Sequence, residues 1–238
     1  GTAGKSSIVE FVRQIWAALG RSGASLGTLG VISASLRRKL AHTTPDPVIL
    51  HEALRDLAAA GVDHLALEAS SHGLEQRRLD WVKVAVAAFT NLSRDHLDYH
   101  PDVEAYFQAK LHLFKAVMAP GGTAVLPVGS DLTDRLHAVC QARGHRILTF
   151  GAGGDIDLLQ RRVVGDGQQL AISALGHGAE LALPLIGAFQ AENVLCAIAL
   201  VLACGEEPDT VLAAAARLTG VPGRLQAVGA LANGGRVY

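Results

Sequence analysis

The chain has 238 residues, of which half are hydrophobic and 18% are charged, and its formal net charge is −1. This composition provides enough apolar residues for a sizeable core and excludes an intrinsically disordered chain. The charge balance argues against a nucleic-acid partner, which a basic surface would attract, and the sequence lacks the continuous apolar run that membrane insertion requires.

The first predicted element is a phosphate-binding loop followed by a helix. Residues 1–6 read GTAGKS, the second half of the pattern G-x-x-x-x-G-K-[ST], whose glycines turn backbone N–H groups toward phosphate oxygens. In that pattern Lys5 reaches the β- and γ-phosphates, and the Ser6 hydroxyl ligates Mg²⁺. Apolar residues recur at helical spacing from Ile8 to Leu19, which predicts a helix with its N-terminus toward the phosphate. A glycine-rich turn with a solvated lysine is the simpler alternative.

The rest of the chain predicts an α/β fold, a P-loop-containing, mostly parallel sheet with helices on both faces and a small antiparallel sheet. The strands predicted before residue 151 are 24–33 (interrupted by two glycines), 64–68, 82–89, 123–127 and 146–150. The helices predicted after the first one are 47–60, 102–118, 131–143, 188–203 and 208–218. Short alternating strands at 155–164, 168–175 and 180–185 predict the antiparallel part, within 151–186.

Two polar, histidine-containing stretches follow predicted strands. Residues 68–78 read EASSHGLEQRR, and residues 90–100 read TNLSRDHLDYH. Both should lie at the carboxyl edge of the sheet, where ligands bind in open α/β folds. A carboxylate such as Glu68 and an imidazole such as His96 are suitable ligands for a divalent cation held against a nucleotide. Taken singly, Glu68 is equally consistent with a helix cap and His96 with an ordinary loop histidine.

Together, the phosphate loop and these two stretches resemble the Mur ligases, specifically the MurE type, which are UDP-N-acetylmuramoyl-tripeptide synthetases of peptidoglycan synthesis. The matching patterns are Gly-Thr-x-Gly-Lys, Glu-x-Ser-Ser-His-Gly-Leu-x-Gln-x-Arg and Asn-Leu-Ser-Arg-Asp-His-Leu-Asp-Tyr-His. The resemblance implies that residues 1–220 are the central ATP-binding domain and that 221–238 lead toward a C-terminal domain. A phosphate loop normally follows a buried strand, and no such strand precedes Gly1 in this sequence, so we expect the chain to be a fragment. The resemblance implies that the N-terminal uridine-binding domain and the C-terminal amino-acid-binding domain are missing from it.

The resemblance also implies roles for individual residues, with ATP and Mg²⁺, expected as two ions, as cofactors. The residues implied to hold the ATP phosphates or adenine are Gly1, Thr2, Gly4, Lys5, Ser6, Ser7, Asn193 and Arg224. Those implied to contact the muramoyl-peptide nucleotide are Thr43, Thr44, Ser70, Gln76 and Arg78. The implied metal ligands are Ser6, Glu68, His96 and Lys110, and the implied catalytic residues are Lys5, His96 and Lys110.

Lys110 is a special case, because the family's matching lysine becomes carbamylated. Carbamylation converts the cation into an anion that can ligate or orient a second Mg²⁺, whereas an ammonium would repel the metal. From the residues alone, Lys110 is an ordinary helical lysine.

The chain departs from the family pattern at four positions. Ala3 and Gln190 each stand where the family usually has Asn, which puts individual nucleotide contacts in doubt, and Gln190 is assigned no role. Ser6 replaces the commoner Thr and keeps the hydroxyl, while Pro101 replaces a usual Gly and stiffens its turn.

The resemblance therefore predicts an ATP-dependent acid–amino-acid ligase acting on a UDP-muramoyl-dipeptide and a diamino acid, either meso-diaminopimelate or L-lysine. We expect a cytoplasmic monomer, inactive as this fragment alone. One alternative is another Mur or folylpolyglutamate-type ligase, against which the SSHGL-x-Q-x-R pattern argues. The other is a nucleotide-binding ATPase module without ligation.

Overall fold

The computed structural model describes residues 2–92, 99–129, 131–226, 229–230 and 236–237. The helices of this part of the chain are α1 (Lys5–Ala18), α2 (Pro47–Ala59), α3 (Ser71–Glu75), α4 (Val103–His112), α5 (Asp131–Ala142), α6 (Phe189–Ala203) and α7 (Pro208–Ala215). A π-helical turn at Leu113–Val117 continues α4. None of the helices described is both long and apolar enough to cross a bilayer.

The strands form two main sheets. Their bounds are β1 (Gly23–Gly27), β2 (Gly30–Ile32), β3 (Arg37–Arg38), β4 (His64–Leu67), β5 (Val84–Ala88), β6 (Met118–Pro127), β7 (Arg146–Phe150), β8 (Ile156–Val164), β9 (Gly167–Ala174), β10 (His177–Leu183), β11 (Gly229–Ala230) and β12 (Arg236–Val237). The first sheet has the order β3-β2-β1-β4 and the second β10-β9-β8-β7-β6-β5, while β11 and β12 pair separately. The predicted α/β class is confirmed.

The second sheet is parallel on one side and antiparallel on the other. Strands β5, β6 and β7 pair in parallel, β7 and β8 share one parallel pair, and β8, β9 and β10 form an antiparallel meander. The predicted antiparallel strands therefore continue the main sheet edge to edge.

Helix α1 forms because its apolar side chains return to one face about every 3.6 residues. Phe11 and Ile15 on that face are fully buried and pack in one core with Val194 and Ile198 of α6. Each such side chain contributes about 1.5–3 kcal/mol of burial free energy. This packing holds the N-terminus of α1, and the loop before it, against α6.

Three sequence predictions need correction. The strand predicted over 24–33 is a hairpin, because the chain reverses after β1 and returns antiparallel as β2. The segment after β4 contains a short helix, α3, capped by the Ser70 hydroxyl, which accepts a hydrogen bond from Gly73 N at 3.1 Å. The strand predicted over 123–127 begins earlier, because β6 already starts at Met118 and includes Pro120-Gly121-Gly122.

A fourth prediction concerns burial. A short apolar run such as 64–68 is typical of a buried parallel strand, and β4 does pair in parallel with β1. All four residues of β4 are nevertheless only half-buried. The fold thus leaves one edge of an apolar strand partly open.

Candidate functional site

The loop before α1 is held in a shape that only glycine permits at residue 4. Gly4 has φ 85°, in the left-handed region, and a Cβ there would lie 2.3 Å from Asn193 Oδ1. The Asn91 side-chain oxygen accepts hydrogen bonds from Thr2 N and Ala3 N, both at 2.9 Å. The Lys5 ammonium donates to Thr2 O at 3.0 Å, so the lysine curls over the loop. These contacts present the start of α1, with its unpaired backbone N–H groups, to the space in front of the loop.

Glu68 is the buried carboxylate of this site. It follows β4, is 2% exposed, and accepts hydrogen bonds from Thr28 N at 2.7 Å and from the Ser6 hydroxyl at 3.1 Å. Gly27 makes room for it, because a Cβ at that position would lie 2.1 Å from Glu68 Oε1. The carboxylate and the Ser6 hydroxyl thus lie side by side at the loop, and oxygen ligands of this kind are those that Mg²⁺ prefers.

A second set of polar groups surrounds Thr44, which is 1% exposed. Its hydroxyl donates to the backbone oxygen of Glu68 at 2.7 Å and accepts from Ser70 N at 3.0 Å. Arg78 donates from Nη1 to Thr44 O at 2.5 Å, and its Nε and Nη2 both donate to Gln76 Oε1, at 3.0 and 2.6 Å. This network fixes the guanidinium beside the loop that carries Thr43.

The opposite wall comes from α6 and the segment after α7. Asn193 Nδ2 donates to Gln190 Oε1 at 2.9 Å, and the Gln190 amide reaches Arg224 O at 3.5 Å. The Arg224 guanidinium in turn donates from Nη2 to the Ser6 hydroxyl at 3.1 Å. Two distant parts of the chain therefore meet at Ser6.

These groups face one cavity of about 750 Å³. The predicted site residues that line it are Thr2, Gly4, Lys5, Ser6, Ser7, Thr43, Thr44, Glu68, Ser70, Arg78, Asn193 and Arg224. Gln76 lies outside this lining and acts on it through its hydrogen bonds to Arg78. The size suits a ligand as large as a nucleotide.

A sequence model of the Mur ligase middle domain matches residues 1–201. The chain belongs to the Mur ligase family. The UDP-N-acetylmuramoyl-L-alanyl-D-glutamate–2,6-diaminopimelate ligase of Bradyrhizobium diazoefficiens is 44% identical to it over 234 residues, which are 96% of this chain and 48% of the relative. The enzyme of the same name from Mesorhizobium japonicum is 45% identical over 239 residues, covering 100% of this chain and 49% of the relative. The chain therefore spans about half the length of these curated relatives.

Solved structures agree with this assignment. A structure of UDP-N-acetylmuramoyl-L-alanyl-D-glutamate–2,6-diaminopimelate ligase superposes with a TM-score of 0.85 at 30% identity, over 96% of this chain and 47% of that one. Folylpolyglutamate synthase from Mycobacterium tuberculosis, complexed with ADP and AMPPCP, superposes with a TM-score of 0.78 at 22% identity, over 95% of this chain and 59% of that one. The second likeness shows the shared fold.

Within this Mur ligase chain, Lys110 lies apart from the main cavity. It is 4% exposed in α4, and its ammonium lies 4.2 Å from the centre of the Tyr106 ring. The Tyr106 hydroxyl is 3.0 Å from the Thr2 hydroxyl, which connects α4 to the phosphate loop. Lys110 lines a second cavity together with Lys5 and Glu68, so these two residues form the wall shared by both cavities.

Two residues that the resemblance had assigned to the site, Gly1 as a phosphate contact and His96 as a metal ligand, lie outside the described residues.

Other site residues were not predicted from the sequence. Thr28 binds Glu68 through its backbone, Asn91 organises the loop, and Gln190 connects Asn193 to Arg224. His72 and Phe189 also line the main cavity. Asn91 and His72 were at least signalled, because both lie in the polar stretches that follow predicted strands.

Proposed function

We propose that this chain is the central ATP-binding domain of a ligase that joins 2,6-diaminopimelate to UDP-N-acetylmuramoyl-L-alanyl-D-glutamate. One observation carries the proposal: a single cavity contains the phosphate loop, the paired Ser6 and Glu68 oxygens, and the polar groups Thr44, Ser70 and Arg78. The names of the most similar relatives favour diaminopimelate over lysine as the added amino acid. The family match over 1–201 supports a domain over 1–220, followed by a connection over 221–238.

The reaction that fits this cavity forms an amide at the expense of ATP. The terminal carboxylate of the acceptor attacks the γ-phosphorus of ATP, the bond to the ADP oxygen breaks, and an acyl phosphate and ADP result. The amine of the amino acid then attacks the acyl carbon, inorganic phosphate leaves, and the amine gives up a proton. Both partners of the first step are anions, so the site must offset their repulsion.

Residues in different parts of the cavity are proposed to bind different parts of the reactants. Lys5 and the start of α1 bind the phosphates, with Arg224 beside them at Ser6. Ser6 and Glu68 would hold Mg²⁺, which supplies positive charge to the phosphoryl oxygens when bound. Arg78, Thr43, Thr44 and Ser70 orient the acceptor, with Gln76 positioning the arginine. Asn193 is proposed to contact the adenine.

Lys110 is proposed to be carbamylated and, together with His96, would hold a second Mg²⁺. Its burial and its place on the cavity shared with Lys5 and Glu68 support a role at the reacting phosphate. In a form of the protein as long as its relatives, we expect Lys110→Ala to be inactive and to regain activity with short carboxylic acids. Lys115→Ala, which removes an exposed lysine just beyond α4, is the matched control. Full activity of Lys110→Ala without additive would contradict the carbamate role.

The function itself is tested in that same long form by following ADP release and amide product. We expect ADP release to require the muramoyl-dipeptide, and product to require diaminopimelate in addition. ADP release without any acceptor would support a simple ATPase module instead, and activity with lysine alone would overturn the assigned amino acid. We also predict that the 238-residue chain is inactive by itself, and that the protein is a cytoplasmic monomer, which sedimentation of the long form and cell fractionation would test.

A further inference from the structure

His72 has no role in the reaction proposed above, although it lines the main cavity with Ser70 and Arg78. It lies in the first turn of α3, two residues after the capping Ser70. Arg77, just after this helix, has φ 57°, in the left-handed region, and turns the chain so that Arg78 N donates to Gly73 O at 2.8 Å. The turn folds the segment back over α3, and His72 and Arg78 come to face the same cavity.

The Arg78 guanidinium is held by neutral groups. Within the described part of the chain, its hydrogen-bond partners are the backbone oxygen of Thr44 and the side-chain oxygen of Gln76. A guanidinium has only donors, so the Gln76 amide must turn its oxygen toward Arg78 and its NH₂ group away. Arg78 is half-buried, where a charge without a counter-charge is costly. The guanidinium is therefore fixed in position, and its charge is available to an anion in the cavity.

Tyr99 connects His72 to Arg78 from outside the lining of the cavity. Its hydroxyl accepts a hydrogen bond from Gln76 Nε2 at 3.0 Å, while Gln76 Oε1 accepts two from Arg78. Its ring stacks on the His72 ring, with the ring centres 3.8 Å apart and the planes inclined by 37°. One side chain thus holds the imidazole directly and the guanidinium through Gln76.

Tyr99 is itself held from another side. The buried His100 ring packs edge-on against the Tyr99 ring, with the ring centres 5.0 Å apart. His100 Nδ1 lies 3.2 Å from Glu75 Oε2, so a further contact holds this segment against α3. The stack on His72, the hydrogen bond from Gln76 and the packing of His100 together restrict the Tyr99 ring, although the residue is 40% exposed.

The position of Arg78 indicates which anion it binds. Thr44 O accepts from Arg78, and the Thr44 hydroxyl donates to the backbone oxygen of Glu68, whose carboxylate lies beside Ser6. The anion therefore lies near the reacting phosphate. The acceptor of the proposed reaction ends in glutamate, which keeps two free carboxylates when its amine is in a peptide bond. One of them reacts, and the other is an anion on the same residue, whereas the diphosphate lies beyond the sugar.

We propose that His72 and Arg78 together bind the carboxylate of the terminal glutamate that does not react, and that Tyr99 is the positioning residue of both. This inference rests on the proposed function. Three of the five N–H groups of Arg78 are used within the chain, which leaves one on each terminal nitrogen. The imidazole of His72 carries an N–H donor in either protonation state. When this carboxylate is bound, the other is directed toward the γ-phosphate, so the pair selects which carboxylate is activated.

The test measures binding of the UDP-muramoyl-dipeptide by calorimetry, in a form of the protein as long as its relatives and loaded with an ATP analogue that cannot transfer its phosphate. His72→Phe keeps a ring that stacks on Tyr99 and removes the N–H donor, so we expect the dissociation constant to rise about 10- to 100-fold. His51→Phe changes an exposed histidine of α2 outside both cavities and should bind as the unchanged protein does. An unchanged dissociation constant in His72→Phe would overturn the role of His72.

Altered acceptors separate a direct contact from a general disturbance of the site. Two acceptors are prepared in which the terminal glutamate is replaced by a residue that lacks one of its two carboxylates. With the acceptor that lacks the non-reacting carboxylate, His72→Phe should bind as tightly as the unchanged protein. With the other, it should show the same 10- to 100-fold loss as with the full acceptor. An equal loss with all three acceptors would overturn the proposal.

Tyr99→Phe tests the positioning role, because it keeps the ring on His72 and removes only the hydroxyl. We expect the dissociation constant of the acceptor to rise about two- to tenfold, while the KM for ATP stays unchanged. In a protein that also carries Arg78→Ala, Tyr99→Phe should have no further effect, since the hydroxyl acts on the acceptor through Gln76 and Arg78. The same effect in both backgrounds, or none in either, would overturn this role.

The inference and the proposed function fail in different ways. Affinity for Mg²⁺·ADP should be the same in His72→Phe, Tyr99→Phe and the unchanged protein, which shows that the variants are folded. An unchanged protein that does not bind the acceptor at all would refute the proposed function. Acceptor-dependent ADP release by the unchanged protein, combined with normal acceptor binding by both variants, would refute this inference alone.

Discussion

Ser6 joins three parts of the chain through one hydroxyl. The hydroxyl donates to Glu68, which follows β4, and accepts from Arg224, near the end of the described chain. The hydroxyl thus connects the Arg224 guanidinium to the buried Glu68 carboxylate in one chain of hydrogen bonds. The same two oxygens are those that the proposed function assigns to Mg²⁺.

The first prediction follows from that hydroxyl. Ser6→Ala removes the oxygen, and we expect the apparent affinity for Mg²⁺ in the ligase reaction to fall about 10- to 100-fold. Ser6→Thr keeps the hydroxyl and should retain most of the affinity. The measurement is the Mg²⁺ dependence of ADP release in a form of the protein as long as its relatives. An unchanged Mg²⁺ dependence in Ser6→Ala would contradict a metal role for this residue.

At the residue scale, the sequence identified groups that lie in contiguous, chemically marked stretches. Lys5, Ser6 and Glu68 were predicted in this way, and the structure brings them together, although their functional roles stay predictions. Gln190 was left without a role, yet it is 1% exposed and connects Asn193 to Arg224. One of its hydrogen-bond partners, Arg224, lies 34 positions away in the sequence. A local sequence pattern cannot predict a contact over such a separation.

Among the elements, α2 illustrates how a helix start supports the site. Its N-cap, Asp46, accepts hydrogen bonds from Val48 N at 3.1 Å and Ile49 N at 3.2 Å, and Pro47 occupies the first turn. The cap lies two residues after Thr44, so it also fixes the end of the loop that holds Thr43 and Thr44.

The second prediction is that Asp46→Ala lowers the free energy of unfolding by about 1 kcal/mol, because two backbone N–H groups lose their partner. Asp46→Ser, which preserves a capping oxygen, should be close to the unchanged protein. Urea unfolding followed by circular dichroism measures both. A loss in Asp46→Ser as large as in Asp46→Ala would show that the cap is not the cause.

The third prediction concerns the link between α4 and α5. Arg135 of α5 donates two hydrogen bonds to Glu104 of α4, at 2.9 and 2.6 Å, and Gln108 donates a further one at 2.8 Å. These bonds, the one from Arg135 above all, lower the pKa of Glu104 from 4.5 to about 2. Because the pKa is lowered in the folded state, the pair stabilises the fold above about pH 4.5, and this contribution is lost as the pH falls toward 2.

An NMR titration of the Glu104 carboxyl measures this pKa directly. We expect a midpoint near 2 in the unchanged protein and a return toward the ordinary value of 4.5 in Arg135→Gln. Asp56 of α2, whose pKa is lowered by its hydrogen bonds from Arg38 and Arg55, offers an internal carboxyl whose midpoint should be the same in both proteins. A Glu104 midpoint that does not move in Arg135→Gln would refute the assigned cause.

Elements were easier to predict than the way they pair. Apolar periodicity identified α1, α2, α6 and α7, and the alternating pattern identified β8 to β10. The β1–β2 hairpin was mistaken for one strand because its turn spans only Thr28 and Leu29 between two glycines. Helix α3 was missed because five residues give no measurable period. The β6 start at Met118 depends on pairing with β5, which a local signal does not contain.

On the scale of the whole molecule, the cavity lies where two hydrophobic cores meet. Helix α1 and α6 belong to one core, and β1, α2 and the π-helical turn belong to the other. The phosphate loop and Asn193 belong to or adjoin elements that pack in the first core. Thr44, Arg78 and the N-cap of α2 adjoin elements that pack in the second. A ligand that fills the cavity therefore contacts both halves and should bind only when they are folded together.

The last prediction draws on this linkage. Mg²⁺·ADP at about 100 times its dissociation constant should stabilise the 238-residue chain by about 2.7 kcal/mol, provided that only the folded state binds it. For a chain of this size that corresponds to a rise in Tm of about 5 to 10 °C, measurable by calorimetry. Lys5→Ala removes the ammonium over the loop, so its Tm should not respond to the same concentration, whereas Lys115→Ala should respond as the unchanged chain does.

This measurement needs no catalysis, and it separates the two parts of the proposed function. A rise in Tm with no acceptor-dependent ADP release in the longer protein would leave a nucleotide-binding module. An absent rise in both the unchanged chain and Lys115→Ala would show that the loop needs more than these residues to bind a nucleotide.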